Sequence, residues 1–299
     1  MLKKVAIFGV GLIGGSFALA LTRAGRVDHI VGFGRSPGVL VRAQALGIID
    51  TIAASAEDAV RDADLVLIAA PVAQTEAILR SIQPYLQAGT VVTDAGSTKA
   101  DVVAAARAAL GDKIGQFIPG HPIAGREQNG PEAAIVDLYV GKKVVLTALP
   151  ENSAADIERV AQAWQACGAM IHRLSADDHD RIFAAVSHLP HLLSYALVDD
   201  LARKPHAELL FQYAASGFRD FTRIAGSSPE MWRDISLANQ PALLAELDSY
   251  LDQLHGLRSL LAERDGAGLE AIYTNAQQAR HNWISAIEAA ELQVKRGGD

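Results

Sequence analysis

The sequence predicts an α/β N-terminal domain with a mostly parallel sheet, followed by an all-α C-terminal domain. Three observations carry this. Over the first half, short and continuously apolar segments alternate with amphipathic stretches, the pattern of a parallel sheet covered on both faces. A strand-like run, Val5–Phe8, leads straight into the glycine-rich turn Gly9-Val10-Gly11-Leu12-Ile13-Gly14. Beyond Ala176 no segment reads as a strand, and leucines recur at helical spacing. The expected domains are 1–174 and 175–299.

The strands in order are Val5–Phe8, His29–Phe33, Leu65–Ala69, Thr90–Thr93, Phe117–Ile118 and Val144–Leu149. Helices are expected over Ile13–Ala24, Gly38–Leu46, Ala73–Tyr85 and Lys99–Leu110. Ala155–Cys167 adds a helix and Met170–Arg173 a last short strand. In the second half, Leu243, Leu247, Leu251, Leu254, Leu257 and Leu261 form one apolar stripe. Leu269, Ile272, Ala276, Trp283 and Ile287 form another. Stripes this long exceed what a small helical domain needs, so part of them is expected to form a two-fold homodimer interface, the alternative being internal core.

Glycines at 9, 11 and 14 have the G-x-G-x-x-G spacing of a Rossmann-like dinucleotide site. Gly9 permits the tight turn, Gly11 leaves room for a pyrophosphate, and Gly14 lets helix and strand pack closely. The helix N-terminus then offers free N–H groups to the phosphates. Gly9, Gly11, Leu12, Ile13 and Gly14 are therefore expected to bind the cofactor. The acidic residue that commonly ends the second strand is absent, and Gly34-Arg35-Ser36 stands there instead. A guanidinium and a hydroxyl can hold a 2′-phosphate, which favours NADP slightly over NAD. Alternatively Arg35 stacks on the adenine and either cofactor serves.

Four further segments carry chemistry. Asp94-Ala95-Gly96-Ser97-Thr98-Lys99 follows a strand, which places Ser97 near the nicotinamide end; a helix cap is its structural alternative. Gly120-His121-Pro122-Ile123-Ala124-Gly125-Arg126-Glu127 reads as a rigid loop holding an imidazole able to accept a proton at neutral pH. His188 and His191 share a helix face; with no cysteine or carboxylate cluster to complete a metal set, substrate contact or internal hydrogen bonding is favoured over metal. Arg223, flanked by apolar residues, is a candidate for a substrate carboxylate, whereas Arg219 and Arg233 have acids beside them.

Composition narrows the class. A net charge of −7 argues against nucleic acid. Uninterrupted apolar runs such as Leu65–Val72 fall far short of the roughly 20 residues of a membrane helix. The single cysteine, Cys167, fits a reducing cytoplasm, and the N-terminus reads as a strand rather than a signal peptide.

Taken together, Gly9–Ser16, Asp94–Lys99, Gly120–Glu127, Ser187–His191 and Gly217–Ala225 resemble the prephenate dehydrogenase family, with its arogenate and cyclohexadienyl relatives. The resemblance implies a nucleotide-binding domain followed by a helical dimerisation domain. It implies a small cyclohexadienol substrate, prephenate or arogenate, oxidised by hydride transfer to NAD(P)⁺ and decarboxylated in tyrosine biosynthesis. By the same resemblance His121 takes the hydroxyl proton, Ser97 orients hydroxyl and nicotinamide, and Arg223 holds a carboxylate. His191 contacts substrate, and Glu127 stands at the pocket entrance beside Arg126. Glu127 would favour arogenate and Arg126 prephenate, so the choice stays open. Two other readings are a β-hydroxyacid dehydrogenase and a non-catalytic NAD(P) sensor. The first needs a catalytic lysine, and after Lys143 only Lys204 and Lys295 occur, neither in a suggestive motif. The second has no use for His121, Ser97 and Arg223 together.

Overall fold

The structure, a computed structural model, describes residues 1–126 and 128–296. Contacts divide the chain into two compact units, Met1–Leu243 and Leu244–Asp299.

The first unit is organised by a six-stranded parallel sheet in the order β3-β2-β1-β4-β5-β6. Its strands are β1 (Leu2–Phe8), β2 (Val27–Phe33), β3 (Thr51–Ile52), β4 (Leu65–Ile68), β5 (Val91–Asp94) and β6 (Phe117–Ile118). Helices α1 (Leu12–Arg23), α2 (Pro37–Ala45), α3 (Ala56–Val60), α4 (Thr75–Ile82) and α5 (Ala100–Leu110) alternate with them, and α6 (Ala154–Ala166) follows. Because strand side chains alternate, one core takes Val5, Ile7, Leu65 and Leu67 while the other takes Ala6, Phe8, Val66 and Ile68. That is why these strands read as continuous apolar runs. The first core is anchored by Trp164, whose ring centre lies 4.5 Å from that of Phe17 and 5.1 Å from that of Tyr139. Truncating a buried aromatic of this kind costs about 3–5 kcal/mol. β3 and α3 were not expected; each is too short to show a period, although Ser55 caps α3 by accepting from Asp58 N.

A second sheet corrects two expectations. The His121 segment is strand β7 (Gly120–Pro122), not a loop. It pairs antiparallel with β8 (Lys143–Leu146), which pairs parallel with β9 (Met170–Arg173). So β8 and β9 do not extend the main sheet. Three residues between glycine and proline carry no strand period, and only the partner β8 makes them a strand.

From Ser175 onward the described chain is helical. Ser175 caps α7 (Ala176–Phe183) by accepting from Asp178 N at 3.0 Å. A widened π turn, Ala184–His188, joins it to α8 (Leu189–Ala202). Such turns recur at functional sites. By length and composition Ala176–Ala202 could cross a membrane. However, its polar residues His179, Asp180 and His188 all bond within the protein. Helices α9 (Ala207–Gln212), α10 (Ser216–Thr222) and α11 (Pro229–Ala238) complete this unit.

The last helices are α12 (Gln240–Glu263) and α13 (Gly266–Arg296). In the second unit Leu247, Leu257, Leu269 and Ile272 are half-buried, whereas Leu251, Leu254, Leu261, Trp283 and Ile287 stay exposed in the single chain, with Leu261 at 62 % and Trp283 at 60 %. The exposed side chains are not internal core of the isolated subunit.

Candidate active site

In an open parallel sheet the ligand crevice lies beyond the carboxyl ends of the strands, where the order reverses, here between β1 and β4. The chain leaves β1 through Gly9, whose φ of +98° suits glycine. A Cβ at Gly9 would sit 2.6 Å from Ala69 O, and one at Gly14 would sit 2.2 Å from Gly9 O. At Gly11 a Cβ would meet nothing within 4 Å. Two of the glycines are thus required by packing, and the third faces open space at the start of α1.

Two cavities abut along this crevice and share Gly11 and Ala69–Pro71. The first, about 660 Å³, runs past Gly9, Gly34, Arg35 and Ser36 to the α4 residues Gln74 and Ile78. Among the described residues no carboxylate lies on its wall. Ser36 precedes α2 without capping it, so its hydroxyl is not engaged there. The second, about 510 Å³, is walled by Leu12, Ile13, Ser97, His121, Arg126, the Ser228 that caps α11 and the α11 residue Met231. These shapes fit a dinucleotide that enters over the glycine turn and ends beside Ser97 and His121.

The second cavity rests on a buried ion pair. Lys99 and Asp94 are both nearly inaccessible and bonded to each other. Lys99 Nζ also donates to Gly120 O at 2.8 Å, while Asp94 accepts from Gly120 N at 3.0 Å and Gly96 N at 2.8 Å. One buried pair therefore fixes both the strand carrying His121 and the loop carrying Ser97.

His121 Nδ1 lies 2.8 Å from His179 Nε2. His179 Nδ1 in turn lies 2.8 Å from Asp180 Oδ1. The Asp180 carboxylate accepts from Lys99 N and Ala100 N, both at 2.8 Å, and so caps α5 from outside. Burial raises the Asp180 pKa, but the bonds from His179, Ala100 and Lys99 outweigh it and hold the group below its ordinary value. His121 is pushed well below the ordinary imidazole range, first by burial and then by His179, Lys99 and His188. It is a neutral imidazole at physiological pH.

Of the other expected residues, Gly14 packs beneath the turn. His188 is only 1 % exposed and lies behind the cavity wall. Its Nδ1 accepts from Asn239 Nδ2 at 3.0 Å, and the same amide donates to Asp180 O at 2.8 Å. His188 Nε2 is buried with no partner in hydrogen-bonding geometry, although the Ser97 backbone lies near enough to favour its protonated form. His191 stacks on Trp232 with ring centres 3.6 Å apart and donates from Nδ1 to Ser187 O. Burial lowers the His191 pKa, with a further push from the nearby Arg223 guanidinium. Arg223 opens the 3₁₀ turn after α10 and is exposed. Glu127 lies outside the described residues. Among the described residues no cluster suited to a metal ion occurs.

Sequence reasoning gave no role to His179, Asp180, Asn239 or Trp232, or to the Lys99–Asp94 pair. The run Asp177-Asp178-His179-Asp180 looks like an ordinary acidic helix start; only an acid and a lysine flanking the Ser97 loop hinted at a buried pair.

Residues 17–173 match the family described as "Prephenate dehydrogenase, nucleotide-binding domain", and residues 175–275 match "Prephenate dehydrogenase, dimerization domain". The cyclohexadienyl dehydrogenase of Zymomonas mobilis is 38 % identical over 281 residues, covering 93 % of this chain and 95 % of that protein. The prephenate dehydrogenase of Bacillus subtilis is 34 % identical over 285 residues, 94 % of this chain and 76 % of that one. The crystal structure of Aquifex aeolicus prephenate dehydrogenase with hydroxyphenyl propionate and NAD⁺ superposes with a TM-score of 0.86 at 36 % identity, covering 94 % of this chain and 98 % of that chain. With both halves matched in order and similarity running through nearly the whole sequence, this chain belongs to the prephenate dehydrogenase family of oxidoreductases.

Proposed function

We propose that this dehydrogenase converts prephenate to 4-hydroxyphenylpyruvate, with loss of carbon dioxide, as a step of tyrosine biosynthesis. The observation that carries the reading is that Ser97 and His121 line one cavity that opens directly onto the dinucleotide crevice. A bound nicotinamide supplies the hydride acceptor for the carbinol carbon. His121 accepts the hydroxyl proton as the carbon–oxygen double bond develops. The bond to the ring carboxylate then breaks, its electron pair aromatises the ring, and the proton returns to the phenol oxygen. Ser97 orients the hydroxyl. Arg223, His191, Arg126 and Glu127 serve the substrate end, with Arg223 taking a carboxylate, while His188, sealed behind the cavity wall and bonded to Asn239, supports the site without meeting substrate. A positioned base of this kind contributes roughly 10²–10⁴-fold.

For the cofactor, NADP is slightly favoured over NAD. Exposed Arg35, the unused Ser36 hydroxyl and the missing carboxylate support it. Arogenate is the second reading for the substrate, and the 38 % identical cyclohexadienyl dehydrogenase supports it. Functionally, 1–174 serves the dinucleotide and 175–299 the substrate and a two-fold pairing of chains. The exposed stripe of Leu251, Leu254, Leu261 and Trp283 supports that pairing.

The test is a spectrophotometric assay of reduced nicotinamide with prephenate or arogenate and either cofactor, for the intact chain and for His121→Asn. Turnover of prephenate that falls about 10²–10⁴-fold in the variant, at unchanged cofactor affinity, is expected. No turnover of either cyclohexadienol by the intact chain, or near-normal turnover by the variant, overturns the reading.

A further inference from the structure

Beyond the base itself, the structure holds two buried groups that the reaction does not touch. We infer that His179 and Asp180 are positioning residues that fix the tautomer of His121, so that the nitrogen left for the substrate is always a lone-pair acceptor. The inference rests on the reading of His121 as the base.

The argument follows the hydrogen bonds inward. Asp180 accepts two backbone N–H bonds at the start of α5, so it is an ionised, acceptor-only carboxylate. Its Oδ1 lies 2.8 Å from His179 Nδ1, which must therefore carry the hydrogen. A neutral imidazole has one N–H, so His179 Nε2 is bare. That bare nitrogen lies 2.8 Å from His121 Nδ1, which must then be the donor. Nε2 of His121 is left with its lone pair. Burial first, and then the Lys99 ammonium, pushes His179 down as it does His121, which keeps both rings neutral against the pull of Asp180 and Asp94.

Packing holds the chain of rings in place. Phe183 lies against both, 4.9 Å from His121 and 4.5 Å from His179 between ring centres. Asn239 holds the main-chain oxygen of Asp180. When His121 accepts a proton, the new charge faces a bonded imidazole backed by a carboxylate rather than an unpaired apolar wall. This is the logic by which a buried acid orients a histidine base.

Two measurements test it. Nitrogen-15 spectra of the histidine-labelled protein, with His121 assigned by its loss in His121→Asn, are expected to report hydrogen on Nδ1 and none on Nε2. A ring protonated at Nε2 overturns the inference without any change to the relay residues. Asp180→Asn removes the carboxylate charge and leaves one acceptor oxygen for the two backbone N–H groups and the imidazole that Asp180 serves, so His121 is no longer held with Nδ1 as the donor and Nε2 as a lone pair. It is expected to lower kcat by about 10²–10⁴-fold while KM and the cofactor dissociation constant stay within about threefold. If His121→Asn abolishes turnover but the His121 tautomer is Nε2–H, or folded Asp180→Asn keeps full kcat, the base stands and the relay falls. If His121→Asn itself turns over normally, both fall.

Discussion

Lys99 Nζ, wholly buried, donates to the carbonyl of Gly120 at 2.8 Å, one residue before His121. The same ammonium neutralises Asp94, so the position of the proposed base depends on a charge pair sealed from water. Lys99→Met strands the Asp94 carboxylate. Breaking one side of a buried pair costs about 3–5 kcal/mol. Denaturant unfolding of Lys99→Met should show a loss of this size, and adding Asp94→Asn should recover part of it. Equal stability of Lys99→Met and the parent would mean that the pair contributes nothing.

Arg35 stands exposed at the end of β2 beside Ser36. A hydrogen bond to a charged group contributes about 1.5–3 kcal/mol, and solvent exposure puts this one at the low end. Arg35→Ala should therefore raise KM for NADP⁺ about tenfold and leave KM for NAD⁺ nearly unchanged. Equal effects on the two cofactors would assign Arg35 to the adenine face instead.

Arg223 lies close enough to His191 to depress its pKa, and His191 is held flat on Trp232. If the guanidinium binds a substrate carboxylate, Arg223→Ala should raise KM for prephenate by about tenfold or more, with a smaller change in kcat. An unchanged KM would make Arg223 structural.

Acid should weaken the fold before its carboxylates titrate. Burial pushes His188 down to about 4, and His121 and His179 also lie below 6.5. Above pH 6.5 these groups are neutral in both states and have no effect. As pH falls from 6.5 toward 4, the unfolded chain takes up protons that the folded chain refuses, so stability drops. His188 alone accounts for about 3 kcal/mol over that window. Asp180, whose folded pKa lies below 3.8, adds its loss only at still lower pH. Unfolding free energies at pH 6.5 and 4.5 should show the drop, and His188→Gln should flatten it. Identical slopes would refute the assignment to His188.

Much of the site was legible because its signals are local. The glycine turn announces itself through backbone stereochemistry, confirmed where Gly9 adopts φ +98° and Gly14 leaves no room for a Cβ. The strands Val5–Phe8 and Leu65–Ile68 were legible because a sheet buried on both faces must be apolar at every position. His121 and Ser97 stood out by their glycine and proline neighbours, yet nothing near either names its partner. The contact from His121 to His179 spans 58 residues, and the one from Lys99 to Asp180 spans 81. The strand β7 was missed for the same reason, since its hydrogen bonds go to β8 and not along its own sequence.

The sequence by itself determined the longer strands and helices, the glycine turn and the leucine stripe, because each follows from neighbours a few positions apart. Only the tertiary structure decided that a buried lysine and aspartate hold the His121 strand and the Ser97 loop together. It alone put Asp180 behind His179 and His179 behind His121. Burial and long-range hydrogen bonds set the charge and tautomer of those groups, and both exist only once distant segments have been brought into contact.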